Sequence, residues 1–241
     1  LTGDAGVKWL QEYEDDKPFF LHLSFCGPHF PLDPPEEFAS RHKPEDMPPP
    51  ECVEDEAFIE LNKKHRAAYA AMIEHVDEEI GKTLSVLEER GMLEDTIIFF
   101  GTDHGDMMGH HQRIGKMIYY DGSARTPYIV RFPDGCNAGK VLDGMVEAVD
   151  LPCAILEAAG YTPEDLPKLM PQTPGQSFYR YARSEVPEHR EDAYSECWTI
   201  DHPVAYRMLR TRDWKYVFRK EGDVLFDMVN DPLETENLID R

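Results

Sequence analysis

The stretch that decides the fold is TIIFFGTD, Thr96–Asp103, which runs directly into HGDMMGHHQRIGK, His104–Lys116. Its first half is an apolar run of β-branched and aromatic residues, the composition of a buried strand, expected to be parallel. The second half sets Asp103, His104, His110, His111 and Lys116 among glycines. In open α/β sheets ligands bind beyond the carboxyl ends of the strands. A strand that ends in this chemistry therefore points to a site, and Gly101 and Gly105 allow tight turns around a bound group.

Outward from this strand the chain alternates. From about Asn62 to Arg90, residues Tyr69, Met72, Val76, Ile80, Leu84 and Leu87 recur at three- and four-residue steps. That spacing predicts a long helix with one stripe facing a sheet, stopped by Gly91. PYIVRF (Pro127–Phe132) reads as another strand, and Val149–Ala159 as a helix ended by Gly160. Near the start, VKWLQEYED (Val7–Asp15) has helical spacing and breaks at Lys17-Pro18. FFLHLSF (Phe19–Phe25) alternates as a strand does. Four prolines between Pro28 and Pro35 then impose an extended loop, and Pro48–Pro50 end a long irregular segment. Residues 1–160 thus carry α/β patterning, a mixed sheet flanked by helices. Residues 161–241 change character and form a small second subdomain. There MLRTRDWKYVFRK and GDVLFDMVNDP are each strand-like, joined around Glu221-Gly222 in a hairpin.

Composition sets limits. The 241 residues suit one large domain, or a domain with a small appendage. Against 47 acidic residues stand only 25 Lys and Arg, a net charge of -22. A field of that sign repels nucleic acid and anionic lipid, so neither is expected as a partner. No window of about 18 apolar residues is present to span a membrane. Five cysteines, odd in number and without CxxC spacing, argue against a disulfide framework or a thiolate metal site and fit a reducing compartment. No signal peptide opens the chain, and because Leu1 is not Met the natural start is expected to lie upstream.

Asp103 beside His104 offers two arms of a divalent-cation site, and Lys116 offers positive charge for an anionic substrate. Taken alone, the pair reads as readily as a turn capped by its own side chains, and the lysine as solvated.

Longer motifs narrow the choice. TDHGDMMGHHQRIGK followed by YYDGSARTPYIVRFP resembles the metal-site segment of the sulfatases and their phosphonate monoester hydrolase relatives. PFFLHLSFCGPHFPLDPPEEF looks like that family's strand and PHxP loop. AAYAAMIEHVDEEIGKTLSVLEERGMLEDTIIFF looks like the helix and strand before its metal residues. AGKVLDGMVEAVDLPCAILEAAG, MLRTRDWKYV and LFDMVNDPLETENL match its later parts in order. The resemblance implies an alkaline phosphatase-like fold with a small α+β C-terminal subdomain. It implies that Asp103 and His104 bind a divalent metal, calcium first, with manganese or zinc as alternatives. Lys116 would contact the sulfuryl or phosphoryl oxygens, and His29 of GPHFP would serve the leaving group. His111 falls where the family often has a supporting loop histidine.

The C/S-x-P-x-R motif that yields the family's formylglycine nucleophile is absent from these residues, as is the early Asp pair that completes the metal site. The chain is therefore expected to be a C-terminal portion, inactive alone, in a hydrolase of sulfate esters on small molecules or glycans. Alternatives are a phosphonate monoester or phosphodiester hydrolase, or a non-catalytic assembly domain. Specificity is expected from the loops Pro31–Cys52 and Leu166–Tyr206, and self-association through an exposed sheet edge.

Overall fold

Residues 2–198 and 205–240 are described by the computed structural model. Part of the Leu166–Tyr206 specificity segment, residues 199–204, thus lies outside the described residues. The chain divides into two units, Leu1–Thr96 with Met108–Arg113, and Ile97–Met107 with Ile114–Arg241.

The first unit is helical. It contains α1 (Thr2–Glu12), a short α2 (Glu36–Ala39) and α3 (Glu56–Glu89). The sequence pattern predicts α3 from about Asn62, but the helix begins six residues earlier, where Asp55 accepts the Phe58 N–H at 3.1 Å as an N-cap. It ends as expected. Gly91 has φ +67, and the Met92 N–H reaches the Leu87 carbonyl at 2.8 Å, a Schellman closure that only a left-handed residue permits without strain. Ala67, Ala71, Val86 and Leu87 are buried, whereas Tyr69, Met72 and Val76 of the expected stripe are half-buried. Within this unit α3 packs on α1 and α2 rather than on a sheet. Leu10 of α1 is fully enclosed by Val86, Leu87 and the surrounding Val7, Phe19, Leu21 and Leu84. Truncating it to alanine is expected to cost about 2–5 kcal/mol in a urea unfolding titration, since a cavity replaces packed methyls.

Phe19–Phe25 keeps the alternation read from sequence: Phe19, Leu21, Leu23 and Phe25 are half-buried, while Phe20, His22 and Ser24 are exposed. It has no ladder partner among the described residues, so it forms no strand there. Burial alone imposes the period of two; a strand also needs a neighbour for its amides.

The second unit holds two antiparallel sheets. β1 (Ile98–Gly101) pairs with β2 (Tyr128–Arg131), Ile98 opposite Arg131 and Gly101 opposite Tyr128. The expected parallel, buried strand is thus corrected on both counts. Its described partner is antiparallel, and the burial runs from half-buried at Ile98 to exposed at Gly101. A four-stranded meander follows: β3 (Asp192–Cys197), β4 (Tyr206–Thr211), β5 (Trp214–Arg219) and β6 (Val224–Asp227). The expected single hairpin is therefore two, because MLRTRDWKYVFRK itself turns back at Arg212-Asp213. Cys197, Tyr206, Met208, Val217, Val224 and Phe226 form the inner face of the meander, and Met107, Ile118 and Tyr119 are buried in the same cluster. Outside, Tyr194, Leu209, Trp214, Tyr216 and Phe218 remain exposed.

Helices α4 (Asp121–Ala124), α5 (Asp150–Ala158), α6 (Leu166–Leu169) and α7 (Tyr179–Ala182) connect these strands. Asp150, fully buried at the start of α5, is the hub of a charged network. It accepts from Arg190 at 2.6 Å, from His189 at 3.1 Å, and from the amides of Gln176 and Glu147, both at 2.8 Å. Arg190 also pairs with Glu147 at 2.8 Å.

Candidate active site

Where β1 ends, the chain folds its polar groups onto one another. The Asp103 carboxylate accepts the His104 N–H at 3.0 Å and the Thr102 hydroxyl at 3.3 Å. Imidazole Nδ1 of His104 lies 2.8 Å from the Gly105 carbonyl. A carbonyl only accepts, so Nδ1 carries a proton and donates it there. The ring's Nε2 stands 3.5 Å from Asp103 Oδ2. A carboxylate beside an imidazole whose other ring nitrogen is tied to a backbone carbonyl is the arrangement a metal-binding histidine uses. Asp103 and His104 are the side chains that would hold a divalent cation here, as an oxygen and a nitrogen donor. Among the described residues no cluster of three or more His, Cys, Asp or Glu side chains surrounds this pair. The donor chemistry fits a cation; the donor number is two.

Glycine is required at 105. A Cβ there would lie 2.2 Å from the Gly122 carbonyl oxygen, and the Gly105 N–H donates to the Ser123 carbonyl at 2.8 Å. The α4 turn therefore braces the residue next to His104. Beyond it the loop is tied twice: Gly115 N–H to Asp106 Oδ1 at 3.0 Å, and Met107 N–H to the Gly115 carbonyl at 2.8 Å. Met107 and Ile118 anchor the two ends in the core of the meander. The result brings Lys116 back beside the acidic end of the loop. Asp103, His104 and Lys116 line one open concavity of about 430 Å³, with Ser123, Glu196 and Tyr206 on its walls.

His29 and His111 belong to the first unit. His29 Nδ1 contacts the Phe30 carbonyl at 2.6 Å in the proline-bordered turn. His111 adopts φ 54 and donates its N–H to the Glu51 carbonyl at 3.3 Å. Beside it, burial and then the charge of Arg66 push the His110 imidazole below its ordinary range.

Sequence reasoning missed Glu196 and Tyr206. The Tyr194 hydroxyl hydrogen-bonded to Glu196, opposed by burial and aided by the Trp198 indole N–H, holds its carboxyl below the usual range. Burial raises the Tyr206 phenol. Neither residue sits in a local motif; only strand pairing brings them to the concavity.

The mixed α/β architecture is the alkaline phosphatase-like fold, shared with the solved structures it superposes on. The sulfatase family model matches residues 2–161, and the C-terminal model of N-sulphoglucosamine sulphohydrolase matches 109–241. The chain belongs to the sulfatase family. It is 31% identical to an arylsulfatase of Clostridium perfringens, over 98% of this chain and 52% of that protein. Its fold matches a phosphonate monoester hydrolase of Agrobacterium radiobacter with a TM-score of 0.83 at 24% identity, over 98% of this chain and 55% of that one. A protein whose structure was solved in complex with its substrate D-glucosamine-2-N,6-O-disulfate matches at 26% identity and TM-score 0.69, over 79% of this chain and 39% of that one. The chain spans about half the length of the curated relatives it matches.

Proposed function

We propose that this chain supplies part of the catalytic domain (residues 1–160) and a small C-terminal subdomain (161–241) of a metal-dependent hydrolase of sulfate esters, with sulfated glycans among its substrates. The observation that supports the reading is the meeting of a carboxylate, an imidazole and an ammonium at one concavity, Asp103, His104 and Lys116. Asp103 and His104 would hold a divalent cation, calcium first and manganese or zinc as alternatives, whose contribution when bound is Lewis-acid stabilisation of charge on the transferring group. The remaining donors and the nucleophile would come from the part of the relatives' length outside this match. Lys116 pairs with the anionic oxygens of the ester and holds their growing charge. His29, its Nδ1 donating to the Phe30 carbonyl, would in its doubly protonated form give the leaving oxygen a proton from Nε2. His111 supports the loop.

The test compares two proteins: the parent enzyme containing these residues at the length of its relatives, and the 241-residue chain alone. The parent is expected to hydrolyse an aryl sulfate faster than an aryl phosphonate monoester, to lose turnover on chelation and to regain it with calcium or manganese. The chain alone is expected to show none, because such groups act as a unit. Turnover by the chain alone would defeat the proposal of an incomplete site. A parent preferring the phosphonate would assign the scaffold to that chemistry instead.

A further inference from the structure

Lys215 is fully buried, although it stands in β5 between the exposed Trp214 and Tyr216. Its ammonium has three protons and three acceptors: the Tyr119 carbonyl at 3.0 Å, Glu234 Oε1 at 2.6 Å, and Asp121 Oδ1. Glu234 is bidentate, for its second oxygen accepts the Asp121 N–H at 2.7 Å. An enclosed ammonium with two carboxylates is a costly way to fill space, and well-packed apolar side chains often do as well or better. Its effect on geometry is therefore the more informative property.

The contacts lead to the candidate site from both sides. Tyr119 is three residues beyond Lys116. Asp121 opens the α4 turn, whose Ser123 carbonyl holds the Gly105 N–H and whose Gly122 carbonyl closes on the Gly105 α-carbon. Gly105 follows His104 directly, and Ser123 and Ala124 line the concavity with Asp103, His104 and Lys116. One ammonium thus ties the segment after Lys116 to the turn that braces the Asp103–His104 pair. We propose that Lys215 and Glu234 are positioning residues that set the spacing between Lys116 and the Asp103–His104 pair. The inference rests on the proposed reading of those three as the working groups, and it assigns a role in that chemistry to side chains that touch no substrate.

Glu234→Gln tests it with little change in volume. A carboxylate accepts on both oxygens, whereas an amide has one accepting oxygen and one donating nitrogen. The glutamine can serve either the ammonium or the Asp121 N–H, so the bridge is cut. Leu10→Ala, in the other unit, is the control for lost stability alone. In the parent enzyme, Glu234→Gln is expected to lower kcat on an aryl sulfate about tenfold with KM nearly unchanged, the mark of displaced rather than missing groups. Hydrogen exchange at the Gly105 amide should quicken by a similar factor, while Leu10→Ala moves neither. A folded Glu234→Gln enzyme with normal kcat and normal Gly105 exchange overturns the proposal, as does Leu10→Ala moving both equally. If Glu234→Gln does not fold, Lys215→Met combined with Glu234→Leu removes both charges together and is judged by the same two measurements. If the unsubstituted parent turns over neither ester, the functional reading fails by itself, and Gly105 exchange alone decides the positioning role.

Discussion

Replacing Lys116 by alanine in the parent enzyme is expected to lower kcat on an aryl sulfate by roughly 10²–10³-fold. The ammonium lies on the wall of the concavity that holds Asp103 and His104. There it would meet charge that grows on the tetrahedral group as the ester bond breaks, so its loss should fall on kcat and kcat/KM together rather than on KM. The variant should fold, because Met107 and Ile118, not Lys116, fix the loop in the core. Steady-state kinetics decide the matter. A decrease below about threefold would mean that the lysine does not serve the transferring group.

Replacing Asp150 by alanine is expected to cost about 3–5 kcal/mol, because it leaves Arg190 and His189 enclosed with one carboxylate where there were two. Asp150→Asn, which keeps an acceptor, should cost less and carries a pH signature. Burial opposes the charge on Asp150, but His189, the Gln176 and Glu147 amides and Arg190 together hold its carboxyl below the usual range. A depressed folded value contributes stability above the unfolded value of about 3.9, and that contribution is lost as pH falls through the folded one. The gap between the unsubstituted chain and Asp150→Asn should therefore be full near neutrality and shrink only below about pH 4. Guanidinium titrations at neutral and acid pH measure it. A gap that stays constant into strong acid would show the network to be unlinked to this carboxylate.

Much of the fold was legible because its signals are local. α3 announces itself through its own period, and Gly91 ends it through a backbone angle that one residue determines. Asp103, His104 and Lys116 lie within one loop, so their meeting needed only a turn. Strand direction was not legible. Whether β1 runs with or against its neighbour depends on a segment 30 residues away, and its apolar composition is the same either way. Phe19–Phe25 shows the converse: period-two burial without a ladder. Lys215 was hidden by its own strand, for in WKY the alternation turns the charge inward and the aromatics outward, the reverse of what hydropathy suggests. Glu196 and Tyr206 reach the concavity only through pairings that no window of sequence contains.

The anchoring of Met107 and Ile118 among Met208, Val217, Val224 and Phe226 has a consequence in time. A polypeptide leaves the ribosome in order, and its non-local contacts wait for their later partners. The loop with its histidine is made well before the last four of those anchors, so a nascent chain carries the ingredients of the centre long before it has the frame that shapes them. The shape of the Asp103–Lys116 loop is thereby deferred until the residues of β6 have been made.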